Sequence, residues 1–440
     1  MTSEHTRRLA DLDRAHVWHP FTQMQDWLDD DPLVVESAEG FELIDSEGNR
    51  YLDGVSSLWV SVHGHRVPEI DQAVRDQLDR VAHSTLLGLG GTPSIELAAR
   101  LVDLAPRGIE RVFFSEAGAA AVEVALKMAF GYWQHKGVTS KRTFLALDEA
   151  YHGDTLGAVS VGGMELFHAA YRPLLFDVYR APSPYYSDEE SIAAVERILE
   201  QHADEICAFI LEPLVQAAAG MLTAPPGYLR KVREVCDRYD VLLICDEVAT
   251  GVGRTGTFFA CEQEDVSPDI LVAGKGLSGG YLPVAATMTT GAVFDAFLAP
   301  YEDFHTFFHG HTYTGNALAC AAALANLDLM AERDTAAGVR EREAVLAKLL
   351  EPLGSHAHVA EIRQRGMMIG IELVRERSPK TPFDPSERIG HRVILEARRK
   401  GVVIRPLGDV IVLMPPLAMS IEDLERLVSV TSDAIDAVTS

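Results

Sequence analysis

Two charged residues stand where apolar runs end, and their types suggest chemistry. The run Val241-Leu242-Leu243-Ile244-Cys245 stops at Asp246-Glu247, and a second, Ile270-Leu271-Val272-Ala273, opens into Gly274-Lys275-Gly276. Short runs rich in branched residues read as buried strands of a parallel sheet, and open α/β sheets bind ligands beyond the carboxyl ends of their strands. The glycines flanking Lys275 give its amine room and let a ligand approach the backbone. A lysine at one strand end and a carboxylate at another suit pyridoxal phosphate, which takes a lysine as Schiff base and an acid against its pyridinium nitrogen. Taken singly, each residue also reads as an ordinary helix-capping acid or a solvated surface cation.

Other stretches could complete such a site. Phe113-Phe114-Ser115-Glu116-Ala117-Gly118-Ala119-Ala120 reads as a strand, a turn of small residues and a helix start, with Val122, Leu126, Ala129 and Trp133 at helical spacing. Free N–H groups and the positive end of the helix dipole make such a turn a phosphate cradle. Tyr151-His152-Gly153-Asp154 follows another strand, Thr143 to Leu147, and offers an aromatic ring for stacking on a planar cofactor. Gly251-Val252-Gly253-Arg254-Thr255-Gly256 is a literal G-x-G-x-x-G. A dinucleotide fold needs those glycines in the first turn after the strand and an acid at the end of the next one, and here Asp269 precedes its strand. The dehydrogenase reading is therefore set aside. The histidines at 63, 65, 83, 152, 305, 309 and 311 form no recognisable ligand set, so no metal site is expected.

The elements that must position these residues alternate between strand and helix patterns from about 61 to 330, the signature of an α/β layer architecture. Residues 1 to about 60 read as an arm with a hairpin around Glu47-Gly48-Asn49, and 331–440 as a separate α+β lobe. At 440 residues the chain exceeds what one core usually supports, which also favours a large and a small domain. The formal charge of −26 repels nucleic acid and anionic membrane surfaces, so neither is expected as a partner. Five cysteines without a C-x-x-C pair read as core thiols, and with no secretory h-region or long apolar run the expected compartment is cytoplasmic.

Leu211-Glu212-Pro213, Asp246 through Gly256 and Gly274-Lys275-Gly276 together resemble the class III pyridoxal-phosphate-dependent aminotransferases of fold type I. The resemblance covers nearly the whole chain and implies a large, mainly parallel sheet domain plus a smaller α+β lobe. It implies that Lys275 carries the cofactor and moves the proton, Asp246 holds the pyridinium, Gly118 and Ala119 bind phosphate, and Tyr151 stacks near the ring. It further implies a homodimer in which Gly310, His311 and Thr312 reach the neighbouring subunit's phosphate, with Gly310 also on the substrate side. Trp18-His19-Pro20-Phe21, Ser56-Ser57-Leu58-Trp59, His63-Gly64-His65 and Ile404-Arg405-Pro406 resemble a biotin-pathway branch that aminates 8-amino-7-oxononanoate. That likeness places Phe21, Trp59 and Tyr151 along an apolar substrate chain and Arg405 on its carboxylate. Members that use S-adenosylmethionine as amino donor carry a tyrosine in place of Phe21 and a serine in place of Ala119. His83 through Gly88 and Phe308 through Tyr313 resemble the branch that takes the amino group from lysine. Glu212 and Arg254 are expected to form an ion pair that opens near the donor. Another class III transaminase, acting on an ω-amino acid, is the alternative.

Overall fold

The computed structural model describes residues 2–30 and 32–440; Met1 and Asp31, both within the expected amino-terminal arm, lie outside the described residues. Its largest sheet has seven strands in the order Ile109–Ser115, Ala285–Thr290, Ile270–Ala273, Leu242–Asp246, Ile206–Leu211, Thr143–Leu147 and Tyr179–Ala181. Pairing is parallel from Ile270–Ala273 through to Tyr179–Ala181, while Ala285–Thr290 runs antiparallel to both of its neighbours. Six strands therefore point one way. Ser115, Leu147, Leu211, Asp246 and Ala273 all end on the same edge of the sheet.

The strand sequences are near-continuously apolar because both faces are covered. Ile244 and Val272 pack with Val122, Leu126, Ala129 and Trp133 of the helix Gly118–His135, whereas Leu243, Cys245 and Leu271 belong to the cluster on the other face. The reversed strand, Ala-Ala-Thr-Met-Thr-Thr, carries small residues where that helix lies close. Thr287 Oγ1 donates to Ala121 O at 2.7 Å, which satisfies a buried hydroxyl. The five cysteines are free and buried.

A second sheet orders Val359–Arg365, Met368–Leu373, Val410–Leu413 and Arg405–Leu407, all antiparallel. The helices Thr335–Leu350, Ile389–Arg399 and Ile421–Thr439 accompany it. The amino-terminal strands Val35–Glu39, Glu42–Asp45 and Arg50–Asp53 form a meander, and Val402–Val403 adds to it in parallel. The expected turn is built by Asp45, whose Oδ1 accepts the N–H groups of Glu47 and Asn49 while Gly48 sits at φ +83°. No helix of the described residues is long and apolar enough to cross a membrane.

Candidate active site

Lys275 emerges from Ile270–Ala273 with φ 44°, a left-handed conformation that a non-glycine residue holds only where its surroundings impose it. Its side chain is half-buried; its ammonium makes no hydrogen bond among the described residues and lies 5.3 Å from the centroid of the Trp59 ring. Burial lowers its pKa. Asp246 and Glu212 act in the opposite sense, and Arg254 lowers it further. These three charges and the amine thus share one region, supplied by three separate strand ends and the loop after Asp246.

Asp246 is the last residue of Leu242–Asp246 and is 4% exposed. His152 Nδ1 donates to its Oδ2 at 2.7 Å and the Val248 N–H to its Oδ1 at 3.1 Å. The other imidazole nitrogen of His152, Nε2, is buried without a hydrogen-bond partner among the described residues. Glu212 follows Ile206–Leu211; its oxygens accept the N–H of Tyr151 at 3.1 Å and of Ala217 at 3.0 Å. Burial, and then the neighbouring Asp246 charge, push its pKa up to about 7, against the pull of His152 and the two backbone bonds. Tyr151 donates its hydroxyl to Asp154 Oδ2 at 2.7 Å, and burial raises its pKa.

The helix Gly118–His135 begins beside this cluster. Its N-cap, Ala117, has no capping side chain, so the first N–H groups are free of side-chain partners. Space is tight: a Cβ on Gly118 would come 2.6 Å from Val248 Cγ1, and one on Gly153, at φ +117°, 2.3 Å from the Cβ of Ala119. Glu116, two residues before Gly118, accepts from His311 Nδ1 at 2.7 Å, and the Thr312 carbonyl accepts from His83 Nε2 at 2.8 Å. A Cβ on Gly310 would meet nothing within 4 Å.

Trp59 lies in a strained stretch, with Ser56, Ser57 and Trp59 all at positive φ. Asp53 holds it by accepting from the Ser57 N–H at 2.8 Å and its Oγ at 3.0 Å, while Ser56 Oγ donates to Met414 O at 2.6 Å. Phe21, at φ 49°, packs edge-on to Phe167, which in turn meets Tyr151. Arg405, on the strand Arg405–Leu407, is solvent-accessible and makes no side-chain hydrogen bond or ion pair among the described residues. The protein packed around its guanidinium lowers its pKa.

The expected ion pair between Glu212 and Arg254 is not made. Both Glu212 oxygens are occupied by backbone amides, and Arg254 is buried with Nη1 donating to Pro415 O at 2.5 Å and Nη2 directed at Ser61 O, 3.4 Å away. Burial lowers its pKa to about 9. Two residues of the region had little sequence signal. His152 was legible only as part of a weak tetrapeptide, and Phe167 lies in a segment without any motif.

A half-buried lysine without a hydrogen-bond partner among the described residues, near an oriented carboxylate and an uncapped helix start, fits pyridoxal phosphate. Residues 24–435 match the family Aminotransferase class-III, and the chain belongs to that family. It is an aminotransferase of fold type I whose cofactor is pyridoxal phosphate. It is 58% identical to the adenosylmethionine-8-amino-7-oxononanoate aminotransferase of Nitratidesulfovibrio vulgaris, over 99% of this chain and 82% of that protein. To the enzyme of the same name from Geobacter sulfurreducens it is 50% identical, over 99% and 98%. The crystal structure of the Methanocaldococcus jannaschii enzyme of that name superposes with a TM-score of 0.96 at 42% identity, covering 99% of this chain and 100% of that one. An (S)-enantioselective ω-transaminase from Thermomicrobium roseum superposes at 0.94 with 35% identity, over 99% of each chain.

Proposed function

We propose that this aminotransferase converts 8-amino-7-oxononanoate to 7,8-diaminononanoate in biotin biosynthesis, with S-adenosylmethionine or L-lysine as amino donor. The names of its relatives support the acceptor, and Arg405 is the observation in this molecule that carries the substrate class. A guanidinium without a carboxylate partner among the described residues is suited to the terminal carboxylate of a long apolar chain, which it can grip with two parallel N–H bonds. Trp59 and Phe21 supply apolar surface for the chain itself.

Pyridoxal phosphate, when bound, supplies a carbonyl carbon for the amine and a ring that accepts electrons from the substrate's carbon. Lys275 Nζ, held below the ordinary ammonium range by burial, takes the proton from the carbon bearing the donor amine and returns it during the exchange. The Asp246 carboxylate, oriented by His152 and the Val248 N–H, would hold the cationic ring nitrogen. Gly118 and Ala119 would offer their N–H groups to the phosphate, and Gly153 lets the Tyr151 loop pass close to that turn. Arg254, fixed by Pro415 O and near enough to Lys275 to lower its pKa, is assigned to the substrate side.

The same proposal includes a cytoplasmic homodimer. Leu87, Phe304 and Phe308 are 89%, 60% and 71% exposed in the single chain. They lie on the segments that carry His83, Gly310, His311 and Thr312, and such grouped apolar exposure marks a surface that a second copy would cover. The test is a titration of the purified yellow protein with S-adenosylmethionine and lysine separately, without acceptor. Bleaching of the cofactor's visible band by one of them establishes that donor; a band that neither changes, but an ω-amino acid does, overturns the substrate assignment.

A further inference from the structure

Phe167 stands on the short helix Glu165–His168, in an excursion of the chain between Leu156–Val161 and the strand Tyr179–Ala181. Its ring meets Tyr151 edge-on, with centroids 6.4 Å apart at 88°, and Phe21 in the same manner at 5.4 Å and 68°. Phe167 belongs to none of the hydrophobic clusters formed by the described residues. Its ring contacts are thus to residues already placed on the substrate side, and to its neighbour His168.

Its position is imposed by backbone. At the base of the excursion, Arg180 Nη2 donates to Ser160 O at 2.8 Å and Gly162 O at 2.7 Å. The Gly163 N–H donates to Ala150 O at 2.7 Å, which ties the base to the residue preceding Tyr151. A Cβ on Gly163 would come 2.7 Å from both Glu149 N and Leu147 O, so the approach depends on glycine there. The Tyr151 ring is held in turn by its hydroxyl on Asp154. At the other end Phe21 is 59% exposed with a strained backbone, so the three rings run from beside the Asp246 and Glu212 charges out to solvent.

We propose that Phe167 is a specificity-determining residue, the middle ring of an aromatic wall, Tyr151–Phe167–Phe21, along which the apolar chain of a long acceptor lies. The inference rests on the function proposed above. Apolar contact of this kind discriminates by roughly 10- to 200-fold for each group buried.

The test uses holoenzyme carrying Phe167→Ala or Phe167→Tyr, with 8-amino-7-oxononanoate varied at saturating donor. Phe167→Ala raises the acceptor KM about tenfold while kcat, cofactor content and melting temperature stay at wild-type values, and Phe167→Tyr restores the KM. An unchanged KM, or a fall in kcat together with lost cofactor, overturns the proposal, the latter because it reports a structural role. Should the wild-type enzyme not turn over 8-amino-7-oxononanoate, the proposed function fails on its own. The wall is then read from straight-chain 2-keto acids of increasing length: Phe167→Ala flattens a wild-type preference for the longer ones, and an unaltered length dependence overturns it.

Discussion

Lys275 and Arg405 are opposite solutions to placing a cation in a site. Lys275 sits near the Asp246 and Glu212 carboxylates with its pKa lowered by burial, which suits the proposed proton transfer; Arg405 has no side-chain anion partner among the described residues, which suits the proposed capture of a carboxylate. Arg405→Ala accordingly raises the KM for the carboxylate acceptor by about 10- to 100-fold, with the melting temperature unchanged because Arg405 makes no side-chain hydrogen bond or ion pair among the described residues. Steady-state kinetics and a thermal melt check this pair of outcomes. Glu247 behaves differently from its neighbour Asp246. It is fully buried, its oxygens accept the N–H groups of Ala260 and Cys261, and burial pushes its pKa up to about 7 from 4.5. Between those values the folded chain keeps a proton that the unfolded chain has lost. The contribution of Glu247 to stability therefore falls as pH rises from about 4.5 through about 7. Glu247→Gln removes that fall, flattening the profile by at most about 1.4 kcal/mol per pH unit, as seen in denaturant melts of both proteins across this range. At this scale Lys275, Asp246 and Tyr151 stand out in the sequence because strand ends and glycines mark them, and the structure brings them into one region. It did not disclose that His152 holds Asp246 or that Arg254 bonds to the Pro415 carbonyl, since each depends on a partner far away in the chain.

The strands that carry the site were legible because a strand covered on both faces is a run of branched residues ended by charge or glycine. Val241 to Cys245 and Ile270 to Ala273 show this, and the observed strands Leu242–Asp246 and Ile270–Ala273 agree within a residue. Ala285–Thr290 escaped notice, because its alanines and threonines answer to the nearby helix Gly118–His135 and carry neither alternation nor bulk. Strand ends also need holding together, and Lys141 does this away from the active site. Its Nζ donates to Ala203 O at 2.6 Å, Ile206 O at 3.1 Å and Asp240 O at 2.7 Å, and lies 4.3 Å from the centroid of the Trp133 ring. Lys141→Met leaves three carbonyls without their donor and destabilises the fold by about 2–4 kcal/mol, measurable by denaturant unfolding.

At the scale of the whole molecule, the amino-terminal meander and the carboxyl-terminal lobe are joined by the parallel pairing of Arg50–Asp53 with Val402–Val403. That pairing sets Asp53, which anchors the Trp59 segment, opposite Val403, just before the strand Arg405–Leu407. The sequence patterns showed an arm with a hairpin at one end and an α+β lobe at the other, but not this pairing, which links residues far apart and involves a two-residue strand. The exposed Leu87, Phe304 and Phe308 give a further expectation: the purified protein elutes as a dimer of the 48.1 kDa chain, and charge substitutions at Phe308 shift it toward monomer in light scattering. The central claim is that Lys275 serves amino transfer to 8-amino-7-oxononanoate. Its most direct test is mass-spectrometric detection of 7,8-diaminononanoate from protein supplied with cofactor, the ketone and either donor, beside the Lys275→Ala variant. The account predicts diamine from the wild type, and none from the variant, which still binds the cofactor without a covalent link. No diamine with either donor, in a protein that aminates other carbonyl compounds, would contradict it.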